Sequence, residues 1–157
     1  MERELSETPA SSLPSDPNEI LRGFNKILAF RIAEWRDGFA RVEVDLQEHH
    51  LNRSGLVHGG VLAALIDAAC GYTGVYPVTA GQVRRAVTLS MTTTFLGQAG
   101  FGIISCTAER RGGGKSIFMA TGEVKGPDGQ LVAIGEATYR YIPDKPEGSK
   151  RTSSAKE

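Results

Sequence analysis

The sequence has no excess of charge of either sign. Its 18 basic residues balance its 18 acidic residues over a length of 157, so no extended positive field is available to attract nucleic acid. The sequence also contains few cysteines. Cys70 and Cys106 stand alone among apolar neighbours, which is typical of reduced core thiols in a cytosolic protein rather than of a disulfide framework. We therefore expect small molecules or proteins as partners, with no nucleic acid among them.

Several other signals are missing. No apolar run reaches membrane-spanning length without a glycine or proline, and the polar, acidic N-terminus lacks the apolar region of a secretory signal. There is no Gly-x-Ser-x-Gly elbow of a serine hydrolase. His49-His50 has no array of cysteines or carboxylates to complete a metal site and is interpreted as a surface pair. These absences predict a cytoplasmic protein without a membrane partner.

One apolar stretch carries a single charge. Asp67 is the only charged residue between Gly59 and Val83, and the stretch has the length and composition of a helix. Burying an ionised carboxylate costs several kcal/mol unless a partner compensates, and acids of this kind collect at functional sites. Structural hydrogen-bonded networks also bury acids, so both interpretations of Asp67 stay open at this point.

The same predicted helix begins with two glycines, Gly59 and Gly60. The first N–H groups of a helix have no partner inside it, and the helix dipole is positive there, so this end can bind an oxyanion. Positions three and four apart also form a stripe of small side chains around Asp67 that would let another backbone come close. The stripe consists of Gly60, Ala63, Ala64, Asp67, Cys70, Gly71 and Gly74.

The order of predicted elements defines the fold class. Asp16 caps a short helix over 17–24, and a hairpin of two strands turning at Arg36-Asp37-Gly38 follows. After the long helix, four strands are predicted at about 86–95, 101–110, 115–125 and 131–142. One helix among strands that are mostly joined by short turns indicates an α+β domain over 17–142, with a curved antiparallel sheet of about five to six strands wrapped around one long central helix. The tails, 1–16 and 143–157, are expected to be disordered.

The segment Asn52-Arg53-Ser54-Gly55-Leu56-Val57-His58-Gly59-Gly60, leading into a helix that carries Asp67, resembles the hotdog-fold acyl-CoA thioesterases. The match is with the branch similar to the phenylacetate-pathway (PaaI-like) thioesterase and runs from about Ile20 to Tyr141. The resemblance implies hydrolysis of an acyl- or aryl-CoA, with coenzyme A as part of the substrate and product and with no cofactor or metal. It also implies a homodimer of side-by-side sheets with shared active sites, and a homotetramer is expected.

The resemblance implies a role for each motif residue. The Gly59 N–H would polarise the thioester carbonyl, Asn52 would bond the carbonyl or the water, and Asp67 would be the general base or a nucleophile forming an anhydride. Thr88 would orient the water, and His58 would fix the start of the helix. From the residues alone, His58 is equally a helix cap, Asn52 a turn residue and Thr88 an ordinary strand threonine.

Candidate contacts to coenzyme A lie at loop and hairpin ends, where cations could meet its phosphates, although solvated hairpin tips explain the same pattern. These candidates are Gly60, Arg84, Arg85, Arg110, Arg111, Lys115 and Ser116.

The spacing of the two central motif residues has a consequence for assembly. Eight residues of helix separate Gly59 from Asp67, which is about 12 Å at the rise of an α-helix. One thioester carbon cannot touch both, so each site would combine Gly59 of one chain with Asp67 of another. Two other functions stay open: a thioesterase of the same fold acting on acyl carrier protein, and a non-catalytic acyl-CoA binding protein. The acyl-CoA hydratase branch fits less well, since it places its catalytic Asp and His differently.

Overall fold

The computed structural model describes residues 16–79, 82 and 84–143. The tails predicted to be disordered, 1–16 and 143–157, lie outside this range except for Asp16 and Pro143. A 3-10 helix at Pro17–Ile20 precedes the rest, and another at Glu48–His50 follows the second strand. The elements are α1 (Gly23–Ile27), β1 (Arg31–Arg36), β2 (Phe39–Leu46), α2 (Gly59–Val75), β3 (Arg85–Phe95), β4 (Gly102–Gly113), β5 (Ile117–Lys125) and β6 (Leu131–Ile142).

The six strands form one antiparallel sheet in the order β1-β2-β4-β5-β6-β3, and α2 packs across it. Leu65 and Ile66 of α2 are fully buried against sheet residues such as Val42 and Ile104. The α+β layout predicted from the element order is therefore confirmed. No helix in the described part of the chain is long and apolar enough to cross a membrane.

The N-terminal helix differs from the prediction. Asp16 accepts a hydrogen bond from the Asn18 N–H at 2.8 Å, as an N-cap does, but the helix stops at Ile20. Leu21 is extended, with φ −62° and ψ 128°, and is buried in the core. Burial of this side chain divides the predicted helix into a 3-10 turn and the five-residue α1.

His50 is buried, contrary to its interpretation as a surface residue; its side chain is 0% exposed. Its Nδ1 accepts the Gln47 N–H at 2.9 Å, and its Nε2 lies 2.9 Å from the Leu28 carbonyl oxygen, to which it donates. Burial is the main cause that lowers the pKa of His50 below its ordinary value. The neutral imidazole therefore ties the end of α1 to the loop that leads towards α2.

The small residues of α2 do not form one exposed face. Gly74 lies directly on the Phe118 ring, and Cys70 faces Gly122 of β5. Cys70 and Cys106 are buried free thiols, as predicted, and burial raises the pKa of Cys70 to about 12. Cys70, Gly71 and Gly74, three of the seven residues of the predicted stripe, thus serve the close approach of α2 to its own sheet.

Strand β3 contains a bulge that the apparent alternation of its side chains conceals. Thr88 pairs with Tyr139 and Ser90 pairs with Thr138, so Leu89 has no partner across the ladder. Thr88 lies on the α2 side of the sheet before the bulge, and Phe95 lies on that same side after it.

Candidate active site

Asp67 lies in the middle of α2. The sequence predicts a fully buried acid, whereas the structure shows Asp67 half-buried. The Thr88 hydroxyl donates to its Oδ1 at 2.7 Å. The Tyr139 hydroxyl lies 3.1 Å from the same oxygen and 2.8 Å from the Asp67 carbonyl oxygen. Across residues 16–79, 82 and 84–143 no donor reaches Oδ2. One carboxylate oxygen is therefore held, and the other is free to act.

Tyr139 is a site residue that the sequence interpretation missed. Burial raises the pKa of this phenol well above its ordinary value, and the neighbouring Cys70 and Asp67 raise it further, so Tyr139 stays protonated and donates. Its ring stacks on Phe118 with centroids 4.9 Å apart. In the sequence it is one aromatic residue of an alternating strand, and only the pairing of Tyr139 with Thr88 shows that both reach Asp67.

A cavity of about 370 Å³ lies beside Asp67, between α2, α1 and the β3–β6 edge of the sheet. Asp67, Thr88 and Tyr139 form one part of its wall. The remaining lining is contributed by Asn25, Ala68, Gly71, Tyr72, Val75, Arg84, Arg85, Ala86 and Ile142. The candidate acid therefore faces a space of the size in which proteins bind small ligands.

The start of α2 has the geometry of an anion site. His58 caps the helix, as its position predicted, since its Nδ1 accepts the Gly60 N–H at 2.9 Å. The His58 carbonyl accepts the N–H groups of Val61 and Leu62. The Gly59 N–H has no acceptor within the described segments. Of these first N–H groups, that of Gly59 is the one left for an oxyanion.

Phe95 limits what can stand at the start of the helix. A Cβ built on Gly59 would lie 3.3 Å from Cζ of Phe95, closer than carbon atoms normally pack. A larger residue at position 59 would therefore require the half-exposed Phe95 ring to shift by a few tenths of an ångström.

Asn52 shapes the loop before α2. Its Oδ1 accepts the N–H groups of Ser54 at 2.8 Å and of Leu56 at 3.2 Å, which is an Asx turn. The turn role of Asn52 is thus present in the structure. Its Nδ2 donates to no group in the described part of the chain, so the amide remains available to a ligand.

The predicted contacts to coenzyme A do not come together in one place. Arg84 and Arg85 line the cavity beside Asp67. Arg84 and Arg110 line a second cavity, of about 490 Å³, where Arg110 also pairs with Asp37 at 3.2 Å. Arg111 bonds Thr121 at 2.7 Å, on the sheet face away from α2.

The three remaining candidates are separated from one another as well. Lys115 and Ser116 are exposed in the turn before β5, and Gly60 lies in the first turn of α2. The position of these basic side chains at hairpin ends did not show which of them line the same cavity.

Comparison with known families identifies the chain. The model of the thioesterase superfamily matches residues 54–133, which include the start of α2, Asp67 and Thr88. The chain belongs to the thioesterase superfamily. It has the hotdog fold of this superfamily and is a thioester hydrolase.

Individual relatives and solved structures agree with this assignment. A protein from Archaeoglobus fulgidus, provisionally named an esterase, is 29% identical over 122 residues, which cover 77% of each chain. Zebrafish thioesterase superfamily member 2 is 27% identical with a TM-score of 0.67, covering 77% of this chain and 88% of its own. The E. coli PaaI protein of the phenylacetic acid degradation operon is 27% identical with a TM-score of 0.65, covering 76% of this chain and 83% of its own.

Proposed function

We propose that this thioesterase-superfamily member is an acyl-CoA thioesterase in which Asp67 attacks the thioester directly or activates the attacking water. The observation that supports this most strongly is the arrangement of the Asp67 carboxylate. Two hydroxyl donors hold Oδ1, while Oδ2 has no donor in the described part of the chain. Asp67 also lines a ligand-sized cavity. A carboxylate fixed in this way has one oxygen ready to accept a proton or form a bond.

The proposed reaction needs a base that accepts a proton from the attacking water and a donor that stabilises the oxyanion. When water attacks, Oδ2 of Asp67 takes its proton, and negative charge develops on the thioester oxygen. The free N–H of Gly59, at the positive end of α2, binds that oxygen. Collapse of the tetrahedral intermediate then breaks the C–S bond and releases coenzyme A as its thiolate, which regains a proton. In the nucleophilic variant, Asp67 forms an anhydride that water hydrolyses in a second step.

Each active site would be shared by two chains. The α2 helix is continuous from Gly59 to Val75, so its eight-residue interval fixes Gly59 about 12 Å from Asp67. We infer that Asp67 works with Gly59 of the partner subunit. Strand β3 lies at the edge of the sheet, and Leu89 and Phe95 on it are about half exposed. An exposed apolar edge strand favours pairing with another copy, and a side-by-side dimer would cover it.

Coenzyme A would be recognised partly by Arg84 and Arg85, which share the cavity with Asp67. Arg84 is held over the Tyr141 ring, with its Cζ 4.4 Å from the ring centroid. A guanidinium ordered in this way suits the phosphates of a nucleotide.

The central experiment measures thiol release from a panel of alkyl- and aryl-CoAs by the wild type, Asp67→Asn and a control, Asp45→Asn. Asp45 is an exposed carboxylate on β2. We expect Asp67→Asn to lose activity by about a hundredfold or more, with Asp45→Asn unchanged. No turnover by the wild type on any acyl-CoA would refute the proposed substrate, and full activity of Asp67→Asn would refute the role of the acid. Turnover of acyl carrier protein thioesters alone would favour the carrier-protein alternative.

A mixing experiment tests the shared site. Asn52→Asp keeps the oxygen that forms the Asx turn but removes the amide donor, so it is a milder change than truncation. Chains carrying Asp67→Asn and chains carrying Asn52→Asp are each expected to be inactive. Co-refolded in equal amounts, they should recover roughly a quarter of wild-type activity, because half of the dimers then contain one intact site. Recovery of no activity would contradict a site formed from two chains.

A further inference from the structure

His50 is a buried titratable residue that the proposed reaction does not use. It precedes the region matched by the family model, and its side chain is fully buried. The loop that it begins, residues 50–58, carries Asn52 and leads directly into Gly59, the first residue of α2. The two donors on the oxyanion side of the proposed site therefore depend on how this loop is held.

The two ends of the 50–58 loop are joined through the backbone. The His50 carbonyl accepts the His58 N–H at 2.9 Å, and the Asn52 N–H donates to the Leu56 carbonyl at 2.7 Å. An isolated antiparallel bridge between these two bonds completes a short ladder. The ladder holds Asn52 and the start of α2 in one fixed arrangement, with His50 at its base.

The His50 side chain attaches this ladder to the rest of the fold. Its Nε2 donates to the carbonyl oxygen of Leu28, 22 positions earlier in the chain, at the C-terminal cap of α1 and in the core. Its Nδ1 accepts from Gln47, only three positions earlier. That turn is already closed by the backbone, because the His50 N–H donates to the Gln47 carbonyl. The bond to Leu28 is therefore the one that fixes the loop relative to the core.

The acid of the site is held by other parts of the chain. Asp67 lies on α2, and its carboxylate accepts from Thr88 of β3 and Tyr139 of β6. Loss of the bond between His50 and the core would therefore displace the donors of the loop and leave the arrangement around Asp67 intact. The site thus divides into an acid half around Asp67 and an oxyanion half, which consists of the 50–58 loop and Gly59.

We propose that His50 is a positioning residue for the oxyanion half, acting through the 50–58 loop on Asn52 and Gly59. This inference rests on the proposed thioesterase function and adds a residue that acts only through the loop. The two donors bind the developing oxyanion more strongly than the substrate carbonyl, so their displacement lowers kcat and leaves KM nearly unchanged. A displacement of about 1 Å can lower the rate about a hundredfold.

The first test compares two replacements that each keep one of the two ring bonds. The amide nitrogen of His50→Gln can still donate to Leu28, whereas the amide of His50→Asn replaces Nδ1 as an acceptor but is too short to reach Leu28. We expect kcat on acyl-CoA to fall about tenfold or more for His50→Asn, with KM nearly unchanged, and to stay within about threefold of wild type for His50→Gln. Equal kcat values for the two replacements overturn the inference. His49→Asn is the matched control and should be unchanged, because His49 is exposed although its ring lies 4.0 Å from that of His50.

The second test asks which half of the site His50 serves. In the proposed shared site, the loop of one chain works with Asp67 of the other. His50→Asn chains are therefore co-refolded in equal amounts with Asp67→Asn chains and, separately, with Asn52→Asp chains. The first mixture should recover roughly a quarter of wild-type activity, because half of the dimers contain one site with an intact loop and an intact acid. The second should stay at the level of the single variants, since none of its sites has an intact loop.

The outcomes are read against the reference mixture of Asp67→Asn with Asn52→Asp. Where that mixture recovers activity, recovery of His50→Asn with Asn52→Asp alone places His50 in the acid half and overturns the inference. Recovery in both mixtures or in neither also overturns it, since His50 would then serve neither half or be needed for folding as a whole. If the reference mixture recovers nothing, the shared site fails, and the kcat values of His50→Asn and His50→Gln decide the inference. A wild type without turnover of any acyl-CoA refutes the proposed function and the inference together.

Discussion

Replacing Gly74 with alanine has two opposing effects on the stability of the fold. In a helix interior, Gly→Ala normally stabilises by about 1 kcal/mol. A Cβ at Gly74, however, would lie 2.5 Å from Cε2 of Phe118, with two other ring atoms nearer still, whereas carbon atoms pack at about 3.5–4.0 Å. The ring has little room to retreat, because Tyr139 stacks on it and Tyr141 packs against it at a tilt, each with its ring centroid 4.9 Å away.

Overpacking of this kind costs up to about 3 kcal/mol, so the net effect of Gly74→Ala is a loss of about 2 kcal/mol. For a domain of this size, that loss lowers Tm by roughly 6 °C. Gly71→Ala is the matched control on the same helix, since its Cβ would meet Tyr139 at an ordinary 3.4 Å. We expect Gly71→Ala to raise Tm by roughly 3 °C.

Thermal unfolding followed by circular dichroism, at one protein concentration for all variants, decides between the two effects. Equal protein concentration matters because assembly shifts Tm by mass action. If Gly74→Ala is as stable as Gly71→Ala, or more stable, the close contact between α2 and Phe118 does not limit the fold, and the reasoning fails.

Two further predictions concern single side chains. Burial lowers the pKa of His50, so the unfolded chain binds more protons below about pH 6.5, and the contribution of His50 to stability is present above that pH and lost as pH falls towards the folded-state pKa. Urea midpoints at about pH 8 and about pH 5.5 should differ more for the wild type than for His50→Asn; an equal difference would contradict this. Tyr139→Phe keeps the stacking on Phe118 but removes a donor to Asp67, so kcat should fall about tenfold with a small change in Tm; unchanged kcat would show that the donor is dispensable.

The sequence predicted those features that depend on local pattern. The apolar run with one acid indicated α2, and alternating side chains between turn residues indicated the six strands within a few residues. Thr88 was associated with Asp67 through resemblance, and the structure places their oxygens 2.7 Å apart. Tyr139 could not be found in this way, because its role depends on the register between β6 and β3, strands separated by more than thirty residues of chain.

His50 shows a different limit of sequence reasoning. Two adjacent histidines in a polar loop are typical of a surface, yet burial depends on the position of Leu28, whose carbonyl oxygen supplies the partner for Nε2. Once that partner and the Gln47 N–H are in place, the ring is satisfied on both sides and burial costs little. A long-range contact therefore decided what local composition could not.

The bulge at Leu89 makes the number of residues between Thr88 and Phe95 a critical property of β3. Thr88 and Phe95 are seven positions apart, and in an unbroken strand an odd separation places two side chains on opposite faces. The extra residue of the bulge shifts the alternation of side chains by one position, so that Thr88 and Phe95 lie on the same face of the sheet. One strand therefore contacts Asp67 through Thr88 and the start of α2 through Phe95. A one-residue deletion between Thr88 and Phe95 would therefore remove one of these two contacts, even if both side chains were kept.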